Sequence, residues 1–152
     1  PLISRGGPVE QDPKVALLMG VPLFQSLDLS QVQRLADLTS EVQAADGDVL
    51  MRQGETGHEF FVVASGNVVV QRDDQRLARL GPGEFFGEIE LLRGGKSIAN
   101  VRAGSEPVEV LMIPRADFSR VMDESPITVE AVSKIVQKRL EEHRMADPRK
   151  KR

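Results

Sequence analysis

The chain of 152 residues contains no cysteine, no tryptophan and no tyrosine. The missing cysteine excludes disulfide scaffolds, Cys-based zinc sites, iron–sulfur clusters and thiol catalysis, and fits a reducing compartment. With Trp and Tyr absent, the six Phe are the only aromatic side chains, too few for a platform on which single-stranded nucleic acid stacks. Positive charge is not in excess either. Lys and Arg total 20 against 23 Asp and Glu, for a net charge of −3, which disfavours a uniformly basic nucleic-acid binder. Long apolar runs are also missing. The longest, Val15 to Phe24, is broken by Gly20 and Pro22 and is too short to span a bilayer. The opening Pro-Leu-Ile-Ser-Arg has neither Met nor a signal-peptide pattern, as expected of a segment from a longer polypeptide.

What is present is an ordinary globular balance, 40% hydrophobic and 28% charged, at one domain's length. Residues 1–11 read as a linker or tail, and 12–40 as N-terminal helices. Asp12-Pro13 gives an N-cap followed by proline at the first helical position, with Val15, Leu18 and Met19 on one face. A second helix over Ser30–Leu38 puts Val32, Leu35, Ala36 and Leu38 at helical spacing.

From 41 to 114 the period changes. Short segments rich in Val, Ile, Leu and Phe occupy Val42–Ala45, Val49–Gln53, Phe60–Ala64, Val68–Arg72, Arg76–Leu80, Phe85–Phe86, Ile98–Ala103 and Val108–Ile113. Turn formers separate them, so the sequence predicts an antiparallel sandwich or closed barrel, not βαβ units. Val108, Val110 and Met112 alternate with Glu109 and Leu111, the pattern of a half-buried strand. Helical spacing returns over 115–146. Phe118, Val121 and Met122 face inward on the first helix, and Ile127, Ala131, Val132, Ile135 and Val136 form a stripe on a longer one. Residues 147–152 are a basic tail.

One segment interrupts the strands. After Phe85-Phe86-Gly87, the run Glu88-Ile89-Glu90-Leu91-Leu92 allows a short helix before Gly94-Gly95. The free N–H groups at its start favour an anion. Glu88 is either a dipole partner there or an acceptor for sugar hydroxyls.

Taken in order, Gln53-Gly54-Glu55, Phe60–Ser65 with Gly66, Leu80-Gly81-Pro82-Gly83, and Phe86-Gly87-Glu88-Ile89 with Val101 and Ala103 resemble the cyclic nucleotide-binding domains of kinase regulatory subunits, gated channels and the catabolite activator protein. The resemblance covers Val21 to Met145. It implies a mainly β, α+β fold: an eight-stranded antiparallel, jelly-roll-like β-roll with short N-terminal helices and C-terminal helices, the last acting as a lid. It places a phosphate-binding cassette at 86–98, with Phe86, Gly87, Glu88, Ile89, Glu90, Lys96, Ser97 and Ile98 as ligand-binding residues. Glu88 is implied to hold the ribose 2′-hydroxyl, and the amides near Ile89 and Glu90 to meet the cyclic phosphate.

Two positions depart from that pattern. Glu90 stands where the family has Ala or Gly, and Ser97 where it has the arginine that neutralises the phosphate. A lost charged hydrogen bond of this kind costs about 1.5–3 kcal/mol, which is roughly 10- to 150-fold in affinity. Lys96 reaches the pocket only through a bulge or from the loop, and Arg93 is a further candidate. Ile98 offers no hydroxyl, which favours cAMP over cGMP.

The expectation is a non-catalytic regulatory domain, cytoplasmic or the soluble part of a membrane protein, that binds cAMP weakly and signals to an attached effector. No DNA-binding domain fits in this chain, and no metal is expected. His58 and His143 lack neighbours at ligand spacing. Gly54–Gly57, with no Gly-Lys-Ser/Thr after it, reads as a turn. The alternatives are a fold that has lost the nucleotide and serves as an interaction or homodimer module, and a pocket for another, uncharged ligand.

Overall fold

The computed structural model describes residues 12–25, 27–87, 96–104 and 106–124, with 133–134, 137–138 and 141 beyond them. Helix α1, Pro13–Met19, starts where Asp12 accepts the Lys14 N–H at 2.9 Å and Pro13 occupies the first turn. It ends at Gly20. A 3-10 turn over Pro22–Phe24, absent from the sequence reading, then leads to helix α2, Leu29–Leu38. A capping box starts α2: Asp28 accepts the Gln31 N–H, and the Gln31 side chain accepts the Asp28 N–H, both at 2.9 Å. The Gln31 amide, helped by the Ser30 hydroxyl, holds the Asp28 carboxyl below its usual range. This cap therefore contributes at neutral pH and fades as acid protonates it.

Eight antiparallel strands follow among the described residues, one on each stretch where the sequence predicts a strand. They are β1 (Ser40–Ala44), β2 (Val49–Met51), β3 (Glu59–Ser65), β4 (Val68–Arg72), β5 (Gln75–Leu80), β6 (Phe85–Phe86), β7 (Asn100–Ala103) and β8 (Val108–Pro114). They form two four-stranded sheets, ordered β1-β8-β3-β6 and β2-β7-β4-β5. Helix α3, Arg115–Asp123, follows β8 directly. This is the mainly β roll with helical flanks that the sequence predicts. Residues 133–134, 137–138 and 141 are helical and exposed. The stripe of Ile127, Ala131, Val132, Ile135 and Val136 lies outside the described residues, as does the tail.

Two cores sit on opposite faces of the first sheet. Phe60, Val62, Phe85, Leu111 and Ile113 pack against Val15, Leu18, Val32, Leu35 and Phe118 of the helices. Phe61, Val63, Phe86, Val108 and Val110 face into the roll against Val68, Val70, Val101 and Ala103. The expected half-buried alternation of β8 therefore fails at Leu111, which is buried along with Val110. The helices cover the face that a bare sheet would leave to solvent.

The helix stripes are narrower than their apolar residues imply. Met19 and Leu38, expected on inward faces, are 49% and 42% exposed. Each lies at the last position of its helix. Leu17 packs against the helical core where Met19 does not. On α3, Phe118 is buried and Val121 packs against the same core, as the spacing predicts.

Strands β4 and β5 meet in a two-residue hairpin with Asp73 at φ 49° and Asp74 at φ 71°. Positive φ at both positions is the geometry that Asn-Gly and Asp-Gly adopt most readily. Asp73 is tied down, accepting Gln53 Nε2 at 3.0 Å and donating its N–H to Gln53 Oε1 at 3.2 Å. Replacing Asp74→Gly relieves left-handed strain at no cost to those bonds. It is expected to stabilise the fold by about 0.5–1 kcal/mol, measured as a higher urea midpoint at unchanged m-value.

Candidate functional site

The site is built where two segments roughly forty residues apart in sequence run side by side. After β2, the turn Gln53–Gly57 meets the strand-like stretch 96–100. Gln53 N–H donates to Asn100 Oδ1 at 2.7 Å and Gly54 N–H to the Ser97 carbonyl at 2.9 Å. Ser97 N–H donates back to the Glu55 carbonyl at 2.7 Å, and Thr56 pairs with Lys96. Both backbone groups of Ser97 are thus bonded to the turn. The turn is also held from the other end. Arg115, the first residue of α3, donates its side chain to the Gly57 carbonyl and its backbone N–H to the His58 carbonyl.

This framework encloses a cavity of about 240 Å³ lined by β2, the turn, Glu59, Phe61 and Ser97. Phe61 stacks on Phe86 with ring centroids 4.6 Å apart and planes at 10°, and the two residues are directly paired across β3 and β6. Gly87 follows at φ +99°, so close to β3 that a Cβ on it would lie 2.6 Å from the Glu59 carbonyl oxygen. Only glycine lets the chain leave β6 at this point. Glu88, Ile89 and Glu90 come next and lie outside the described residues, as does Arg93.

Among the described residues, Thr39 and Ser97 are the two buried polar side chains. The Thr39 hydroxyl donates to the Ala36 carbonyl at 2.8 Å. The Ser97 hydroxyl, in a residue 4% exposed, has no partner among the described residues. Lys96 is exposed and does not line the cavity. Adjacent residues on an extended segment face opposite ways, so burying Ser97 turns Lys96 outward. Ile98 packs at the junction of both cores.

Of the eight site residues the sequence singles out, Ser97 lines this cavity, while Phe86 and Gly87 lie against its lining residues Phe61 and Glu59. The structure directs Lys96 to solvent and leaves Ile98 among apolar groups. The sequence reading missed the adjoining part of the wall, where Arg52, Glu55, His58 and Glu59 line the same cavity. Its signal was the Gly54–Gly57 turn, which sequence identifies as a turn without showing what it faces. No three His, Asp or Glu side chains among the described residues gather as metal ligands. No helix among them is long and apolar enough to cross a membrane.

If Gly87 fixes where the chain leaves β6, Gly87→Ala carries left-handed strain of about 1–3 kcal/mol in addition to the clash. It is expected to lower the urea midpoint by more than Gly83→Ala, where φ is +89° but no atom lies within 4 Å.

The cyclic nucleotide-binding domain model matches residues 41–125. A cGMP-dependent protein kinase of Eimeria tenella is 29% identical over 109 residues, spanning 72% of this chain and 11% of the kinase. A cAMP-dependent protein kinase regulatory subunit of Blastocladiella emersonii is 31% identical over 112 residues, 70% of this chain and 28% of that protein. Among solved structures, the regulatory domain of Toxoplasma gondii PKA with cAMP superposes with a TM-score of 0.74 at 25% identity, over 82% of this chain and 49% of that one. The chain thus spans between about a tenth and a half of the length of these proteins. With this match over the roll, the strand order and the glycine exit from β6 all in agreement, the chain belongs to the cyclic nucleotide-binding domain family.

Proposed function

We propose that the chain is the non-catalytic sensing module of a larger regulatory protein, whose cavity accepts a cyclic nucleotide but holds its phosphate weakly. In this reading cAMP enters the roll beside Phe61 and Ser97 and is gripped by the cassette at 86–98. The helix within 127–145 covers it, which shifts a two-state equilibrium felt by an attached effector. The relatives support the ligand class and the setting: one is a cGMP-dependent kinase, another the regulatory subunit of a cAMP-dependent kinase, and the T. gondii domain was solved with cAMP. The preference for cAMP over cGMP rests on Ile98, which has no hydroxyl to offer a guanine.

The observation that carries the weak-binding reading is the burial of Ser97 in the cavity wall with Lys96 turned outward. A hydroxyl stands where the resemblance places a guanidinium, and the nearest lysine cannot stand in for it without undoing the Thr56–Lys96 pairing. Arginine's forked donors would add a bidentate, charge-assisted contact to the phosphate.

Calorimetric titration of the native chain and of Ser97→Arg with cAMP and cGMP tests this. Ser97→Arg is expected to tighten cAMP binding by about 10- to 100-fold, with cAMP ahead of cGMP in both proteins. Native binding already as tight as that of the variant would refute the weakened site. No binding by either protein would turn the assignment to an interaction module, with sedimentation then expected to show a nucleotide-independent dimer.

A further inference from the structure

The Ser97 hydroxyl is a buried donor and acceptor with no partner among the described residues, on the wall of a cavity of about 240 Å³. Leaving such a group unmet is costly, and a polar ligand group reaching Ser97 from the cavity would relieve that cost. The charges that face the same space are Arg52, Glu55, His58 and Glu59. Lys96, the cation nearest to Ser97 in sequence, is not among them.

Arg52 differs from its neighbours in two respects. Its guanidinium is charged at every physiological pH, which an imidazole in general is not. It also has no carboxylate partner among the described residues, where the ion pair formed is Arg120 with Asp117 at 3.3 Å. The turn that follows Arg52 is hydrogen-bonded to the backbone of Ser97, through Gly54 and Glu55. Arg52 and Ser97 thereby sit on adjacent, hydrogen-bonded segments that line one cavity. We propose that Arg52 supplies the counter-charge for the ligand, in place of the arginine absent at Ser97. This rests on the reading of the cavity as a cyclic nucleotide site.

The two carboxylates set the chemical class more narrowly. Glu55 and Glu59 accept hydrogen bonds from ligand hydroxyl or amine groups and repel added negative charge. One permanent cation beside two carboxylates suits a ligand with a single delocalised charge and several hydroxyls. A 3′,5′-cyclic phosphodiester has that form, and a dianionic phosphomonoester does not. The site is therefore expected to discriminate against 5′-AMP by charge as well as by shape.

Calorimetry of the full chain with cAMP, 5′-AMP and adenosine, on native protein and Arg52→Gln, tests the assignment. Arg52 is exposed, so the variant is expected to fold, with thermal melting as the check. The expected result is cAMP binding about 5- to 20-fold weaker in Arg52→Gln, adenosine binding changed less than about twofold, and native cAMP affinity falling with added salt more steeply than the variant's. Equal losses for cAMP and adenosine, or no loss for either, would overturn the role of Arg52 while leaving the cyclic nucleotide site in place. Native protein that binds none of the three ligands would overturn both.

Discussion

The structure depends on a division of labour between adjacent phenylalanines. Phe60 and Phe61 are neighbours on β3, so their side chains point to opposite faces of the sheet. Phe60 stacks on Phe118 at 4.9 Å and meets Phe24 edge-on at 5.7 Å, fastening α3 and the 3-10 turn to the sheet. Phe61 turns into the roll and stacks on Phe86 beside the cavity. Phe85 and Phe86 repeat the division on β6, with Phe85 reaching Phe60 at 5.7 Å. All six phenylalanines of the chain belong to this array. A one-residue slip of β3 against β6 would exchange the two faces and lose both sets of contacts. The short β6 is thus held in register by aromatic packing more than by its few hydrogen bonds, and Gly87 leaves it at a fixed point.

The same register brings the ligand wall together. Glu59 pairs with Pro114 at the start of β3, so the turn before β3 lies against the start of α3, where Arg115 holds the carbonyls of Gly57 and His58. On its other side the turn clamps Ser97. The cavity wall is therefore rigid at three places: Phe61, the turn and Ser97. A preorganised wall of this kind avoids the ordering cost that a flexible site meets on binding.

The fold was legible in the sequence because its signals are local. Short apolar runs between Gly, Asp and Asn turns mark all eight strands, and Asp12-Pro13 marks the first helix start. What local pattern could not carry was which face a third element covers. Leu111 is buried because helices lie over β8, and Met19 is exposed at the last position of its helix. The site was half legible for the same reason. Phe86, Gly87 and Ser97 stood out by their place in a familiar order, whereas Arg52, Glu55 and His58 gain meaning only when the turn is laid against residues 96–97. No periodicity records a contact across that interval. Ser97 likewise reads in the sequence as a simple loss of charge, and only the fold places Arg52 on the same cavity.

In the proposed function a cyclic nucleotide occupies the cavity lined by Val49–Arg52, Glu55–Glu59, Phe61 and Ser97. The most direct measurement is a titration of the ¹⁵N-labelled chain with cAMP, followed by amide chemical shifts. Binding there gives saturable shifts concentrated at Arg52–Glu59, Phe61, Phe86–Gly87 and Lys96–Ile98, with small shifts in β4 and β5. Saturation with those amides unmoved, or shifts confined to the helices and the outer face of the first sheet, would contradict it.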